Sequence, residues 1–223
     1  MLTVNAAYVL IRRLLTLYKD SNLKNITADE NFNTFSLSWY NNTDVDPATG
    51  LTPYINMQKV LKVCHDFVDN FDNTFSNLLF IGQTGVGKTF LSNCIARALM
   101  DSCHSIIYLT AGEFFDSFKS DDFKEFGSSK FDTSFFVECD LLIIDDLGTE
   151  KASDYNFSNL FNTINERLLR RKSIIISSNL EMPDIETRYS QRIFSRLVSA
   201  YSILRLFGDD IRCMKKLSPT KRS

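Results

Sequence analysis

Hydrophobic positions along this chain fall into two rhythms that take turns. Continuous apolar runs occur at L-L-F-I (78–81), I-I-Y-L-T (106–110), L-L-I-I (141–144) and I-I-I (174–176), and each stops at a polar or glycine-bearing tip. Strands buried on both faces of a parallel sheet read this way, because neither face alternates with solvent. Between the runs, apolar residues recur at spacings of three and four. Val60, Val63, Cys64, Phe67, Val68 and Phe71 form one such stripe after Pro53. Phe90, Leu91, Cys94, Ile95, Ala98 and Leu99 form a second, and Phe157, Leu160, Phe161, Ile164 and Leu168 a third within residues 152–172. These are helix faces, and Pro53 stands where a helix start tolerates it. G-E-F-F-D-S-F-K (112–119) predicts a shorter helix after the second run, and residues 189–212 predict a helix followed by a last strand. Strand and helix patterns alternating in this way predict a three-layer α/β fold around a parallel sheet of about five strands.

Other stretches break the alternation. Near the start, Val4, Tyr8, Ile11, Leu15 and Tyr18 share one helical stripe. Arg12 and Arg13 follow the apolar residues instead of preceding them, and the run is too short and interrupted to span a bilayer. The segment therefore reads as an amphipathic helix that packs on the body or on a partner, not as a signal peptide or membrane span. Residues 20–53 are polar and turn-rich, with D-V-D-P-A-T-G-L-T-P as the clearest loop chemistry. Within them F-N-T-F-S-L-S-W-Y (32–40) is dense in aromatics; it reads first as core and second as an apolar cover for a nucleotide base. Residues 119–134 are charged and carry Gly and Ser, which predicts a surface insertion. The expected division is an N-terminal helix and linker (1–52), a nucleotide-binding core (53–212) and a basic C-terminal tail (213–223).

Composition narrows the classes. The hydrophobic share of the 223 residues, 44%, is ample for one core. A formal charge of −2 and a pI near 5.7 give no global basic signature, so any contact with nucleic acid has to come from a local patch or an assembled ring. Cys64, Cys94, Cys103, Cys139 and Cys213 form no C-x-x-C pair, and His65 and His104 are not spaced with them as zinc ligands. Reduced thiols in a cytoplasmic protein are the expectation.

The candidate chemistry sits at the strand tips. Directly after L-L-F-I comes G-Q-T-G-V-G-K-T-F (82–90), a G-x-x-x-x-G-K-[ST] pattern that leads into a helix stripe. The order strand, loop, helix is what makes the pattern a phosphate site. Gly82, Gln83, Thr84, Gly85, Val86, Gly87, Lys88, Thr89 and Phe90 are the expected nucleotide-binding segment. Its glycines let the backbone turn N–H groups toward phosphates, and the helix N-terminus adds partial positive charge. Lys88 is expected to reach the β- and γ-phosphates, and the Thr89 hydroxyl to hold Mg²⁺. Further on, D-L-L-I-I-D-D-L-G (140–148) ends an apolar strand in two acids. Asp145 is expected to bind Mg²⁺, directly or through water, and Asp146 to orient and deprotonate the attacking water. Asn179, at the polar tip of the next strand, reads either as a hydrogen-bond partner of that water or the γ-phosphate, or as a turn or cap residue. The cations of R-L-L-R-R-K (167–172) read equally as complements to a helix dipole and as phosphate contacts. Arg192 and Arg196, four apart, share one helix face.

Phosphate loop, acidic strand tip, polar strand tip and a late helix with paired arginines together resemble an AAA+ ATPase. The stretches N-L-L-F-I-G-Q-T-G-V-G-K-T-F-L-S, C-D-L-L-I-I-D-D-L-G-T-E and R-I-F-S-R-L are similar to those of bacterial replicative-helicase loaders of the DnaC/DnaI type and of their IstB-type transposition-helper relatives, over about residues 55–212. The resemblance implies that Lys88 and Thr89 are the Walker A lysine and hydroxyl, Asp145 and Asp146 the Walker B acids, and Asn179 the sensor-1 residue. It implies that Arg196 is an arginine finger for a neighbouring subunit's nucleotide and Arg212 a sensor-2-like arginine. Contact with single-stranded DNA is implied at Ser153 and Tyr155, and at an insertion near Phe114, Phe115 and Phe118. ATP and Mg²⁺ as ligands, a hexameric replicative DNA helicase and single-stranded DNA as partners, self-association into a ring or spiral, and hydrolysis of ATP to ADP and phosphate during DNA replication follow from the same resemblance.

The sequence also departs from that pattern. Asp-Asp stands where many AAA+ proteins have Asp-Glu, and the shorter second carboxylate would sit farther from the water, which bears on the rate of hydrolysis but not on nucleotide binding. Sixteen residues follow Phe207, too few for the usual helical lid, which predicts a lidless core. The roughly fifty residues before the core hold no zinc cluster, which predicts a partner-binding element that is minimal, divergent or outside this sequence. The competing readings are a transposase helper acting on duplex DNA, a nucleotide-dependent adaptor with little hydrolysis, and a small-metabolite kinase. The kinase would need an acceptor pocket and an arginine-bearing lid, and the pattern offers neither.

Overall fold

The computed structural model describes residues 29–119 and 133–217. The expected N-terminal helix, most of the expected insertion and the last residues of the tail lie outside them. Strands β1 (Leu78–Ile81), β2 (Ile106–Thr110), β3 (Leu141–Leu147), β4 (Ser173–Ser178) and β5 (Ser202–Arg205) form one parallel sheet in the order β2-β3-β4-β1-β5. Side chains of a strand alternate between faces, and here both faces are apolar. Leu78, Phe80, Ile106, Tyr108, Leu141, Ile143 and Ile175 meet helices α1 (Pro53–Asp69) and α2 (Lys88–Asp101). Leu79, Ile81, Ile107, Leu109, Leu142, Ile144, Ile174 and Ile176 meet the other layer. That layer comprises α3 (Ala111–Asp116), α4 (Phe135–Glu138), α5 (Asp154–Leu169), α6 (Met182–Arg188) and α7 (Gln191–Ala200). At about 1.5–3 kcal/mol for each fully buried Leu, Ile or Phe, this double burial is the main stabilisation of the sheet. A three-layer α/β sandwich is the result, as the alternating pattern predicts.

Caps set several boundaries. The Thr52 hydroxyl accepts the Ile55 N–H at 3.3 Å and starts α1, with Pro53 in its first turn. Thr110 and Glu113 make a reciprocal capping box on α3. Helix α6 has no counterpart in the sequence expectations, because Met182 and Ile185 alone give too little periodicity. Helix α8 (Ile211–Leu217) follows β5 and runs across the expected core–tail boundary after residue 212. Residues 32–40 likewise belong to the body: Phe32, Phe35, Leu37 and Trp39 pack on the α1–α2 side, and Tyr40 is buried. Among the described residues, no helix is long and apolar enough to cross a membrane.

The reading of R-L-L-R-R-K needs correction at its first residue. Arg167 is fully buried on α5 and contacts neither solvent nor a phosphate site. Its guanidinium donates to the carbonyls of Phe136 at 2.7 Å, Cys139 at 3.0 Å, Asp140 at 3.1 Å and Ser173 at 2.6 Å. Five fixed donors suit such a convergence of carbonyls. Arg167 thereby ties α4, the start of β3 and the start of β4 to one helix.

Candidate functional site

The loop after β1 is shaped by backbone that only glycine accepts. Gly82 has φ +141°, and a Cβ there would lie 2.0 Å from the Leu206 carbonyl oxygen. Gly87, with φ +103°, caps α2 and has the Tyr40 hydroxyl where a Cβ would go. That hydroxyl donates to the Val86 carbonyl at 3.1 Å and braces the loop from outside. Lys88 opens α2 and is 5% exposed. Its Nζ donates to the carbonyls of Gly82 at 2.6 Å and Gln83 at 2.8 Å, and to Asn179 Oδ1 at 2.7 Å. Burial pulls the Lys88 ammonium below its ordinary pKa, while Asp146 and Asp145 pull the other way.

The two acids owe their positions to an irregularity in the sheet. Ile144 pairs with Ile176 and Leu147 with Ser178, so β3 spends one more residue than β4 across the interval. A bulge of this kind re-aims side chains. Asp145 turns inward, 4% exposed, and accepts hydrogen bonds from Thr89 at 2.9 Å, Tyr108 at 3.0 Å and Ser177. Asp146 takes the left-handed backbone, φ +56°, and its N–H donates to Ser177 Oγ at 2.9 Å. Burial and the adjacent Asp145 charge raise the Asp146 carboxyl above its ordinary pKa, against the opposing pull of Lys88. Asn179 bridges the two sides, accepting from Lys88 and donating to Asp146 Oδ1 at 3.3 Å. Thr89 and Asp145 offer hard oxygen donors in contact with each other. That set fits Mg²⁺, which commonly takes one or two carboxylates and completes its shell with water and substrate phosphates.

Above these groups opens a cavity of about 590 Å³, within the size range of ligand sites. Lys88, Thr89, Asp146, Asn179 and Arg212 line its polar side. Phe35, Trp39, Tyr40 and Phe90, with the aliphatic Ile211, line a largely aromatic side, the Lys215 ammonium lying 5.7 Å from the Trp39 ring and 6.0 Å from Phe90. The aromatic stretch 32–40 thus packs on the core and also walls the cavity, with Tyr40 buried and Phe35, Trp39 and Tyr40 all lining it. Core was its first reading in the sequence, and that reading holds only in part.

Other expected site residues fall elsewhere. Arg196, on α7, lies outside the cavity lining. Its guanidinium stacks 4.4 Å from the Phe161 ring and donates to Asn165 Oδ1 at 2.9 and 3.1 Å, and to the Arg192 carbonyl at 3.3 Å. The aromatics near the expected DNA-contacting insertion differ in placement, Phe118 lying just beyond α3 and only half-buried. Phe114 and Phe115 are core, and Phe118 packs edge-on to Phe114 at 5.2 Å and against Phe136 at 5.6 Å. Tyr155 stays exposed, with its hydroxyl on the Phe118 carbonyl at 2.8 Å. The Ser153 hydroxyl caps α5 by accepting the Asn156 N–H at 3.1 Å. Sequence reasoning missed Tyr108 and Ser177. The available signals were the Tyr108 hydroxyl inside the apolar run of β2 and a serine in the polar end of β4.

Comparison with known proteins agrees with this geometry. A family model described as IstB-like ATP binding protein matches residues 54–218. The replicative helicase loader DnaC of Escherichia coli is 23% identical over 151 residues, covering 67% of this chain and 61% of the loader. The chain thus spans about three fifths of the length of the DnaC relatives it matches. The phage-like element PBSX protein XkdC of Bacillus subtilis is 32% identical over 111 residues, 47% of this chain and 40% of that protein. Among solved structures, AMPPCP-bound DnaA from Aquifex aeolicus aligns with a TM-score of 0.63 at 18% identity, over 89% of this chain and 58% of DnaA. A crystal structure of the DnaC helicase loader aligns at 0.61 and 20% identity, over 81% of this chain and all of the other. The structural likenesses are of fold, a phosphate-loop α/β core. With the family model spanning most of the chain, this protein belongs to the IstB-like ATP binding protein family.

Proposed function

We propose that this chain binds ATP with Mg²⁺ in the cavity at the strand tips, hydrolyses it slowly, and uses the cycle to deliver a hexameric replicative helicase onto single-stranded DNA. The observation that carries the nucleotide part is the convergence of Lys88, the Thr89–Asp145 pair, Asp146 and Asn179 beside an aromatic wall. Similarity to DnaC, a replicative helicase loader, supports the delivery part.

Lys88 exchanges its loop-carbonyl partners for oxygens of the terminal phosphates. Thr89 and Asp145 would hold Mg²⁺, which would supply neutralisation of the charge that develops on the terminal phosphates. Asp146 accepts a proton from water as the water oxygen attacks the γ-phosphorus. The bond from that phosphorus to the bridging oxygen breaks, and ADP leaves with the electron pair. Asn179, in reach of Lys88 and Asp146, fixes the line of approach. An aspartate reaches less far than a glutamate, hence the slow rate. The exposed ring of Tyr155 offers a stacking face, worth about 1–3 kcal/mol per base in proteins that bind single strands this way. The Ser153 hydroxyl accepts a hydrogen bond as a cap and keeps its own proton for a phosphate. The N-terminal segment is the proposed partner-binding element, and residues 53–212 the catalytic core.

The test is a loading assay with the host's replicative helicase and a circular single strand. Helicase retained on the circle only with this protein and ATP is the expected result. Retention that ignores the protein, or that persists with Lys88→Ala, contradicts the loader reading. ATP-dependent binding to duplex DNA in its place points to the transposase-helper relatives.

A further inference from the structure

Just beyond the two acids stands Glu150, a carboxylate that the hydrolysis above does not use. Its side chain is 3% exposed although it lies in the loop between β3 and α5, and burying a charge is costly unless partners compensate. Oε2 accepts the Gly148 N–H at 2.8 Å. Oε1 accepts the Tyr189 hydroxyl at 2.5 Å and Arg188 Nε at 3.5 Å, while Arg188 Nη2 also donates to the Glu150 main-chain carbonyl. One residue thus joins the loop after Asp146 to the corner where α6 ends at Arg188 and α7 begins at Gln191. Helix α7 is the one that carries Arg192 and Arg196.

That loop needs fixing. Asp146 occupies the left-handed region at φ +56°, which residues with a Cβ rarely adopt, and Gly148 follows at φ +109°. The Leu180 side chain lies so close to Gly148 that a Cβ there would be 2.7 Å from it. Backbone of this kind persists only where surrounding contacts over-determine it. Ser177 holds the Asp146 N–H at 2.9 Å, and the Asp146 carbonyl accepts the Thr149 hydroxyl at 2.9 Å. Glu150 closes the loop from its far end.

We propose that Glu150 is a positioning residue that couples Asp146 to helix α7. Through its two oxygens the loop bearing the water-activating acid and the arginine-bearing helix move as one unit. The inference rests on the ATPase reading above. A carboxylate with a merely structural role would stabilise the fold and leave turnover alone. A positioning one separates binding from turnover, because Lys88 and Thr89 set nucleotide affinity whereas Asp146 sets the chemical step.

The test uses the full chain and two variants. Tyr189→Phe removes a single hydroxyl and keeps the ring that packs on Phe157; Glu150→Gln keeps the shape and loses the charge. ATP affinity by titration, KM, kcat, thermal midpoint and amide hydrogen exchange along α7 with and without ATP and Mg²⁺ are measured. ATP affinity and KM within about twofold of the parent are expected, with kcat lower by about tenfold or more in Glu150→Gln and by less in Tyr189→Phe. Both variants should also lose the change in α7 exchange that nucleotide produces in the parent. Variants with parental kcat, or a parent whose α7 exchange ignores nucleotide, overturn the coupling. A drop confined to the thermal midpoint overturns it as well and leaves Glu150 structural. If the parent binds ATP without measurable turnover, α7 exchange decides alone. A parent that binds no ATP in the titration fails at the nucleotide reading itself, and the coupling falls with it.

Discussion

Asp145 and Asp146 are neighbours in the chain and opposites in their surroundings. Asp145 is buried and held by the hydroxyls of Thr89, Tyr108 and Ser177, whereas Asp146 faces the cavity on a left-handed backbone. A carboxylate clamped against a hydroxyl suits a cation; one that faces the cavity suits a proton. Asp145→Asn is therefore expected to weaken nucleotide affinity in the presence of Mg²⁺ and to change it little without the metal. Asp146→Asn is expected to keep affinity and slow turnover by about 10²–10⁴-fold, the usual reach of general-base catalysis. Nucleotide titrations with and without Mg²⁺, paired with kcat, check both; variants that turn over like the parent contradict the assignment. The acids themselves were legible, since an apolar run that ends in D-D has few other uses after a phosphate loop. Their difference was not. Tyr108 and Ser177 reach Asp145 only through the pairing of β2 and β4 with β3, a long-range fact that local spacing does not carry.

Elements with continuous apolar runs were readable almost to the residue. I-I-Y-L-T became β2 at Ile106–Thr110 because a strand buried on both faces has no other composition open to it. Short or polar elements were not, and α6 and α4 are the examples. Arg167 was misread because a cation in the last turn of a helix ordinarily serves the dipole, and only the tertiary fold brings four carbonyls to it. Arg167→Met should cost at least about 3 kcal/mol, at about 1–3 kcal/mol for each buried acceptor left without a partner. Urea unfolding measures it, and a loss below about 1 kcal/mol would mean that the carbonyls find other donors. A second fixture at the same end of the sheet is sensitive to acid. Burial pushes the Asp140 carboxyl up, but Lys172 at 2.7 Å and the Ser105 hydroxyl and N–H outweigh it and hold it at about 2, against an ordinary 3.8. A carboxyl held low in the fold stabilises above its unfolded pKa and loses that contribution as pH falls through the folded one. Asp140→Asn is thus expected to melt lower than the parent at neutral pH, with the gap closing between pH 4 and pH 2. A gap of constant size across that window contradicts the ion pair's role.

At the scale of the molecule, the cavity has walls from distant parts of the chain. The phosphate loop supplies one side, residues 35–40 a second, and Arg212 and Lys215 of α8 a third. Arg196 is outside it, stacked on Phe161 of its own copy. If that arginine serves a neighbouring copy, turnover per subunit rises with protein concentration, Arg196→Ala is inactive alone, and mixing it with inactive Lys88→Ala restores part of the activity. An arginine supplied in trans is worth about 10³–10⁵ in rate in well-studied phosphate-loop enzymes. Turnover that ignores concentration and survives Arg196→Ala rejects the shared site. The functional account depends on whether the cavity takes ATP, and an equilibrium titration of the parent and Lys88→Ala with ATP and Mg²⁺ answers that most directly. Saturable binding by the parent and its loss in Lys88→Ala is the predicted result. Equal affinity in the two proteins, or no binding by the parent, contradicts the nucleotide site.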